Sequence, residues 1–491
     1  MKVCVLQPDY SSSGVDYRHY DPARDLSPLL PGHEVHHVAI HKLSTYRQLQ
    51  GLVSQGYDIF VNLCEGYHEW DTPGVDVCHA LAALNLPHTG PTATFFHVPK
   101  PTMKYLATSV GVATPMHVLL DAPALASAHR VGDAVTVDRL LAPVTALRMP
   151  CFVKPAHSGD SLGVDEHAVV RDRAALLTQV LRLADEFPEL LIEEYIDGRE
   201  FTVLVVGDPD RRGKGRALTP VEYRFPEGFR YKSYALKTSE MHPAANVAVD
   251  DPAVEARLRE AAERIFAGFG AMGYARMDFR MDAEETLWFL EVNFTCSVFY
   301  PGDLAASADH ILRLDPMGPR GFLERIIAEG VARHRRREKA YALRGDAIAG
   351  YGVVATKRLV AGELIWAGEG RPHRIVTRRH VERHWDATDR ELFRHYAVPL
   401  SDEVYAIWDE DPLAWAPWNH SCAANTAFHG LDVVALRDIA VGEELTLDYG
   451  QILDERSAGF DCRCGAAGCR GRVAGRPGNS VTARERAAAE R

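Results

Sequence analysis

The chain lacks any stretch approaching the ~20 consecutive apolar residues that a membrane-spanning helix needs, so no membrane is expected among its partners. Its first residues, Met1–Pro8 (MKVCVLQP), alternate like a strand and lack the apolar core of a signal peptide. An excess of basic charge is missing as well. Fifty-five Lys and Arg against 67 Asp and Glu leave a formal net charge of −12, which argues against a dedicated nucleic-acid binder with its basic face. Cysteine is sparse, nine in 491 residues, and unevenly placed. Cys4, Cys64, Cys78, Cys151 and Cys296 are scattered in apolar or strand-like settings and read as core thiols. Cys422, Cys462, Cys464 and Cys469 gather toward the C-terminus. Without an export signal such a cluster reads as a metal site rather than a disulfide framework, and the compartment is expected to be a reducing cytoplasm.

What is present fits a globular protein: 46% hydrophobic and 25% charged residues, at a length that suggests roughly three domains. Up to about residue 330 strand and helix signals alternate, with no repeat. Tyr57–Leu63, Cys151–Lys154 and Leu190–Ile196 read as strands, and Gly74–Leu84 as an amphipathic helix. Asp251–Gly270 reads as a helix with Asp251 as N-cap, Pro252 at the first helical position, and Val254, Leu258, Ala261 and Ile265 on one face. Ala332–Lys339 (ARHRRREK) is dense in positive charge. It fits a solvated linker or helix end, and also a patch for an anionic partner. From Tyr341 short strands and Gly-rich turns follow, and that region looks all-β. The expected boundaries are an N-terminal α/β domain over 1–96, a second domain over 97–330, a basic linker over 331–342, a β-rich domain over 343–455, a cysteine tail over 456–475 and a flexible tail over 476–491.

Two neighbouring strands carry the clearest chemistry in the first half: Tyr274–Met281 (YARMDFRM) and Thr286–Asn293 (TLWFLEVN). Side chains two apart share a strand face, so Arg276 and Asp278 point one way, as do Glu291 and Asn293. If the strands pair, three oxygen ligands and one cation converge, the composition of a magnesium–phosphate site. An exposed polar hairpin face fits the same residues, but Trp288, Phe289 and Leu290 imply burial of the other side. A second element, Phe152–Gly163 (FVKPAHSGDSLG), runs from a strand ending in lysine into a Ser/Gly-rich loop. Such loops wrap phosphate with backbone N–H groups, although turns are often Gly/Ser-rich for steric reasons alone.

NLCEGYHEWDTPGVDVCHALAALNLPHTG, VPKPTMKYLATSVGVATP, FVKPAHSGDSLGV, LLIEEYIDGREFTV and YARMDFR…FLEVN follow one another in an order that resembles D-alanine–D-alanine ligases, over about residues 55–300. The resemblance implies an ATP-grasp fold, α/β plus α+β, with ATP clamped between two subdomains. It implies that Lys100 and Lys154 contact the phosphates or the adenine pocket, that Glu193 and Ile196 line the adenine, and that Glu200 holds the ribose. Lys237, in YALK, would reach the terminal phosphate. Asp278, Glu291 and Asn293 would carry Mg²⁺, and Arg276 would stabilise the tetrahedral intermediate formed when an amine attacks a phosphorylated carboxylate. Three departures surround the amino-acid pockets: the N-terminal loop QPDYSSSGVD, Asp160 in the phosphate loop, and FTCSVFYPGD after Asn293. The nucleotide chemistry is therefore expected to be kept while the substrates differ from D-alanine.

In the second half, Cys462, Cys464 and Cys469 in FDCRCGAAGCRG have a spacing that can share one tetrahedral metal, with Cys422 the nearest upstream candidate for a fourth ligand. Free thiols or a local disulfide are the alternatives. Asn419 and His420 lie beside Trp415 and Trp418, which suggests a pocket, whereas an Asn-His pair or a lone Tyr449 would by itself be a core feature. Together GYGVVA, VAGELI, WNHSCAAN, GEELTLDYG and CRCGAAGCRG resemble SET-domain methyltransferases with a post-SET zinc tail, over about residues 343–473. The resemblance implies that Gly350, Tyr351 and Gly352 contact S-adenosylmethionine, with Asn419 and His420 holding its adenine and neighbouring groups. It places Tyr449 by the transferring methyl, and Zn²⁺ on Cys422, Cys462, Cys464 and Cys469. Ala424 stands where the family usually has proline. Tyrosine titrates near ~10, so Tyr449 reads as an orienting residue rather than a base.

The expectation is a fusion enzyme that ligates a small amino-acid-derived molecule with ATP and Mg²⁺ and N-methylates an amine, in small-molecule or peptide biosynthesis. The alternative is a protein-lysine methyltransferase, acting on a lysine-containing peptide or protein, whose ligase half is accessory. Its partners are expected to be amino-acid-like small molecules and a second copy of the chain as a homodimer, with no nucleic acid.

Overall fold

The computed structural model describes every residue except 12, 14–20, 67–70, 158–161, 212, 228–230, 232–244, 303, 338, 347–349, 369–373, 408–417 and 482–491. It divides into two compact units, Met1–Arg336 and Arg337–Arg491. No helix among the described residues is long and apolar enough to cross a membrane.

In the first unit the opening alternation forms β1 (Lys2–Pro8), which pairs in parallel with β2 (Glu34–Ile40) and β3 (Ile59–Asn62). Val3 and Val5 enter one core and Cys4 and Leu6 another. A strand covered on both faces needs a nearly continuous apolar run, which β1 has. A second sheet has the order β4-β7-β5-β6, with β4 (His117–Asp121), β5 (Cys151–Pro155), β6 (Val169–Val170) and β7 (Glu189–Glu194). Cys151, Val153, Leu190 and Ile192 pack into a core with the helices Ala122–Arg130, Ala134–Leu141 and Arg173–Leu183. The opposite face presents Phe152, Lys154 and Glu193.

The third sheet contains β8 (Arg199–Gly207), β9 (Gly215–Ala217), β10 (Val221–Tyr223), β11 (Asn246–Ala248), β12 (Tyr274–Met281) and β13 (Leu287–Asn293). Its order is β11-β10-β8-β12-β13, with β9 on β8. Ala275, Met277 and Phe279 point into a core closed by the helix Pro252–Gly268. The carboxylate of Asp251 caps that helix, accepting from the N–H groups of Ala253 (2.8 Å) and Val254 (3.3 Å). β12 and β13 pair antiparallel with a bulge after Asp278. The bulge corrects one expectation: Phe289 alone of its neighbours is fully buried, while Leu290 faces a cleft and the Trp288 indole donates to Asp282 (2.7 Å).

The stretch read as a linker, 331–342, is helical up to Arg337, the end of the helix Gly318–Arg337, and enters a strand at Tyr341. Arg333 explains why the helix continues: it is buried, and its guanidinium donates to the carbonyls of His88 (2.6 Å) and Gly90 (2.9 Å).

The second unit contains β14 (Tyr341–Asp346), β15 (Gly350–Ala355), β16 (Leu364–Trp366), β17 (Arg374–Thr377), β18 (Val398–Pro399), β19 (Val404–Ile407), β20 (Asn419–His420), β21 (Thr426–His429), β22 (Asp432–Ala435), β23 (Glu444–Leu447), β24 (Phe460–Asp461) and β25 (Arg472–Val473). They form small sheets in the orders β14-β15-β23-β20, β16-β22-β21, β17-β19-β18 and β24-β25. The region is β-rich but not all-β. Thr377 and Asp386 cap two helices, Arg378–His384 and Ala387–Tyr396, through their side chains. Part of the expected flexible tail is packed: Ser480 and Val481 are buried, and Asn479 donates to the Leu453 carbonyl (3.0 Å).

Candidate active sites

A cleft of about 810 Å³, open mouth included, lies between the second and third sheets of the first unit. Lys100, Lys154, Glu193, Ile196, Glu200, Asp278 and Glu291 all line it. Strand register explains the convergence. Glu193 sits opposite Phe152 across β7 and β5, and Lys154 is two residues along on the same face. Lys100 and Lys104, one helical turn apart on Lys100–Ser109, point at the same place. The result is a charged lattice: Lys104 Nζ and Lys154 Nζ each lie 2.6 Å from a Glu193 oxygen, and Lys100 Nζ is 3.7 Å from Glu291. Burial pushes the Glu193 carboxyl up, but Lys104 and Lys154 outweigh it and hold it down at about 2. Burial pulls the Lys154 ammonium down, and Glu193 and Glu291 more than offset that.

On the third sheet Arg276 pairs across from Asn293, and Asp278 from Glu291. Directly opposed residues of an antiparallel pair share a face, so the expected metal and cation groups do face one another. Arg276 Nη2 lies 3.5 Å from Asp278 Oδ2. Asn293 Oδ1 accepts from the backbone N–H of Thr295 at 3.1 Å, which ties it to its own loop. Arg276 and Asn293 are one pair beyond the residues lining the cleft. Two carboxylates beside buried lysines suit Mg²⁺ with nucleotide phosphates. Lys237 and Asp160 lie outside the described residues.

Among the cleft residues that the sequence reading missed are Phe152, Tyr195, Tyr231 and Arg280. Phe152 and Tyr195 stack at 6.3 Å between centroids, and the Tyr231 ring meets both edge-on. Two of the four were available from alternation alone. Phe152 is two residues before Lys154, and Arg280 two after Asp278.

In the second unit β20 runs parallel to β23, pairing Asn419 with Thr446 and His420 with Leu447. This sets His420 beside Tyr449, whose N–H donates to His420 Nδ1 (3.1 Å). The Tyr449 hydroxyl donates to the Trp418 carbonyl, and burial pushes it up to about 12. Asn419 Nδ2 donates to the Tyr351 carbonyl (2.9 Å) and to Glu444 Oε1 (2.7 Å), so its amide holds the start of β15. At Gly352 a Cβ would come within 2.6 Å of that same Glu444 oxygen and 3.2 Å of Asn419 Nδ2, so any side chain there would have to displace the Asn419–Glu444 contact. Gly350 has φ +87°, and with Tyr351 it is exposed, leaving backbone open to a ligand. Trp415 lies outside the described residues.

None of the nine cysteines is disulfide-bonded. His420, Cys422, Cys462 and Cys464 offer ligand atoms that all lie within 4.8 Å of one another. Cys422 Sγ is 3.8 Å from Cys462 Sγ and 3.3 Å from His420 Nε2. A tetrahedral site with Zn–S of about 2.3 Å separates its sulfurs by about 3.8 Å, so the donor set fits zinc. Backbone donors already point at the sulfurs: Arg470 N–H at Cys422 (3.4 Å) and Cys422 N–H at Cys464 (3.4 Å), favouring thiolates. One placement adds to the expectation: the His420 Nε2 turns toward the cysteines. The Cys469 thiol is directed at the Cys462 carbonyl (3.8 Å) and also interacts with the thiols of Cys462 and Cys464, so the four expected cysteines stay together.

The family model for the D-ala D-ala ligase C-terminus matches residues 120–302, and the SET domain model matches 350–450. The D-alanine–D-alanine ligase of Bordetella petrii is 32% identical over 295 residues, 57% of this chain and 81% of that protein. The ligase of Bordetella pertussis is 30% identical over 303 residues, 59% of this chain and 86% of that protein. A solved D-alanine–D-alanine ligase from Bacillus anthracis, complexed with ATP, covers 69% of this chain and 99% of its own at 16% identity, with a TM-score of 0.48. On its sequence relatives the chain belongs to the D-alanine–D-alanine ligase family, with an ATP-grasp ligase half followed by a SET domain.

Proposed function

We propose that the protein is a bifunctional enzyme: an ATP-dependent carboxylate–amine ligase acting on amino-acid-like molecules, and an S-adenosylmethionine-dependent N-methyltransferase. The observation that carries the ligase reading is the gathering of Lys100, Lys154, Glu193, Glu200, Asp278 and Glu291 in one cleft. Lys100 and Lys154 would bind the phosphates, while Glu193 locks the lysines in place. Magnesium, held by Asp278 and Glu291, would neutralise phosphate charge. The terminal phosphoryl group would pass to the substrate carboxylate. The amine would then attack the acyl carbon, and Arg276 would stabilise the oxyanion before phosphate leaves.

D-alanine is not the substrate favoured by this reading. Arg24, almost fully buried, pairs with Asp21 (3.0 Å) and lies over the Tyr300 ring at 4.4 Å. Ser297 donates to Glu65 (2.8 Å). These residues belong to or adjoin two of the segments that depart from the family, and they support a substrate other than D-alanine.

In the other half S-adenosylmethionine would supply the electrophilic methyl group, with Gly350–Gly352 and Asn419 shaping its site. The Tyr449 hydroxyl, neutral at physiological pH, would orient the acceptor amine. Zinc would be structural.

The test is incubation of the full chain with ATP, Mg²⁺, S-adenosylmethionine and an amino-acid mixture, read by mass spectrometry. A ligated, methylated product is expected. Absence of amino-acid-stimulated ADP release overturns the ligase reading, and methyl label confined to added protein favours a protein-lysine methyltransferase.

A further inference from the structure

Arg280 lines the cleft and has no part in the chemistry above. It stands directly opposite Glu200 across β12 and β8, on the face that carries Asp278. Its Nε donates to Glu200 Oε2 (3.1 Å) and its Nη1 to the Ile196 carbonyl (2.5 Å). The guanidinium also lies 5.1 Å from the centre of the Tyr195 ring. Arg280 is 3% exposed and Glu200 7%.

A buried ion pair is a poor source of stability, because desolvating both charges cancels most of the attraction. Apolar residues of similar size would close this sheet as well, so the charges call for another reason. The guanidinium, anchored through Nη1 on the Ile196 carbonyl, holds one carboxylate oxygen, Oε2, through its Nε–H. No other hydrogen bond to the Glu200 carboxylate exists among the described residues, so Oε1 remains to accept from a ligand. The same guanidinium fixes the Ile196 carbonyl and flanks Tyr195, which line the cleft beside it.

We infer that Arg280 is a positioning residue that aims Glu200 at the sugar hydroxyls of a bound ribonucleoside triphosphate. The inference rests on reading the cleft as the nucleotide site. A carboxylate free to rotate would satisfy itself with water and gain little from the hydroxyls. One pinned by a guanidinium is preorganised to accept from them, which makes the site selective for the ribose form.

The test measures dissociation constants of the full chain for Mg-ATP and Mg-2′,3′-dideoxy-ATP by calorimetry. The wild type is expected to favour ATP by about tenfold or more, the scale of a charge-assisted hydrogen bond. In R280M that ratio should fall to within about twofold of unity, mainly through weaker ATP binding. E200Q should do the same, and E200Q/R280M should lose nothing further, because the two residues act as one unit. R280K keeps the charge in the core but loses the fork, and its ratio should drop at least threefold even if R280M does not fold. Equal weakening of both nucleotides in R280M or R280K, or a wild type that ignores the hydroxyls, overturns the inference. Failure of the wild type to bind Mg-ATP at all would instead overturn the nucleotide reading.

Discussion

Glu193 is fully enclosed between two ammonium groups, and that setting dictates how the ligase unit responds to acid. Its carboxyl is held at about 2, below its ordinary value near 4.5. A depressed carboxyl contributes stability that is fully present above its unfolded value and is lost as pH falls through the folded one. Urea denaturation of the ligase unit should therefore show a loss of stability between about pH 4.5 and pH 2. E193Q should lower stability at neutral pH, where Lys104 and Lys154 lose their counter-charge, and flatten the curve in that acid window. An E193Q curve parallel to wild type would contradict the two-lysine clamp. Tyr449 is the opposite case. Burial raises its hydroxyl to about 12, so it stays protonated through the physiological range and works as a donor. Y449F should cut methylation by roughly tenfold to a hundredfold without changing the shape of the pH–rate profile. A shift of the profile would mean that Tyr449 titrates during turnover.

At the scale of elements, the register of β12 and β13 sets Asp278 opposite Glu291, and the proposed ligase chemistry would rest on that pair. E291Q keeps the shape and removes one charge, so ADP release should fall by about a hundredfold or more with an unchanged circular dichroism spectrum. The helix Gly318–Arg337 is anchored by Arg333, which is paired with Glu329 at 3.7 Å and bonded to two carbonyls. R333A leaves those partners buried and unmet, and should cost the ligase unit about 3 kcal/mol, seen as a lower urea midpoint. Much of the site was legible because strand alternation is a local rule: Arg276, Asp278, Glu291 and Asn293 could be assigned to one face before their pairing was known. The same rule would have found Arg280 and Phe152, had the faces been followed two residues further. What could not be read was decided by non-local contacts. The bulge after Asp278 turns Leu290 into the cleft, and the carbonyls of His88 and Gly90 draw Arg333 and its charged neighbours into a helix. The caps Thr377 and Asp386 were visible as residue types, but the strand-like signals around them masked the two short helices they begin.

The whole molecule is two compact units, each with its own cores, and the proposal gives each its own chemistry. In the SET unit the thiols of Cys422, Cys462 and Cys464 join segments 40 or more residues apart, so metal binding there should be coupled to folding. A zinc-selective chelator is expected to lower the thermal transition of the SET unit and its methylation together, while ADP release with Mg²⁺ restored stays at the wild-type rate. Loss of both activities on chelation would place the metal in a wider role. The central claim is that one chain holds two separable active sites. Its most direct test is a crossed assay of E291Q and Y449F in the full chain, measuring ADP release and methyl transfer in each. The account predicts that E291Q loses only the first and Y449F only the second. Loss of both activities in either variant would contradict it.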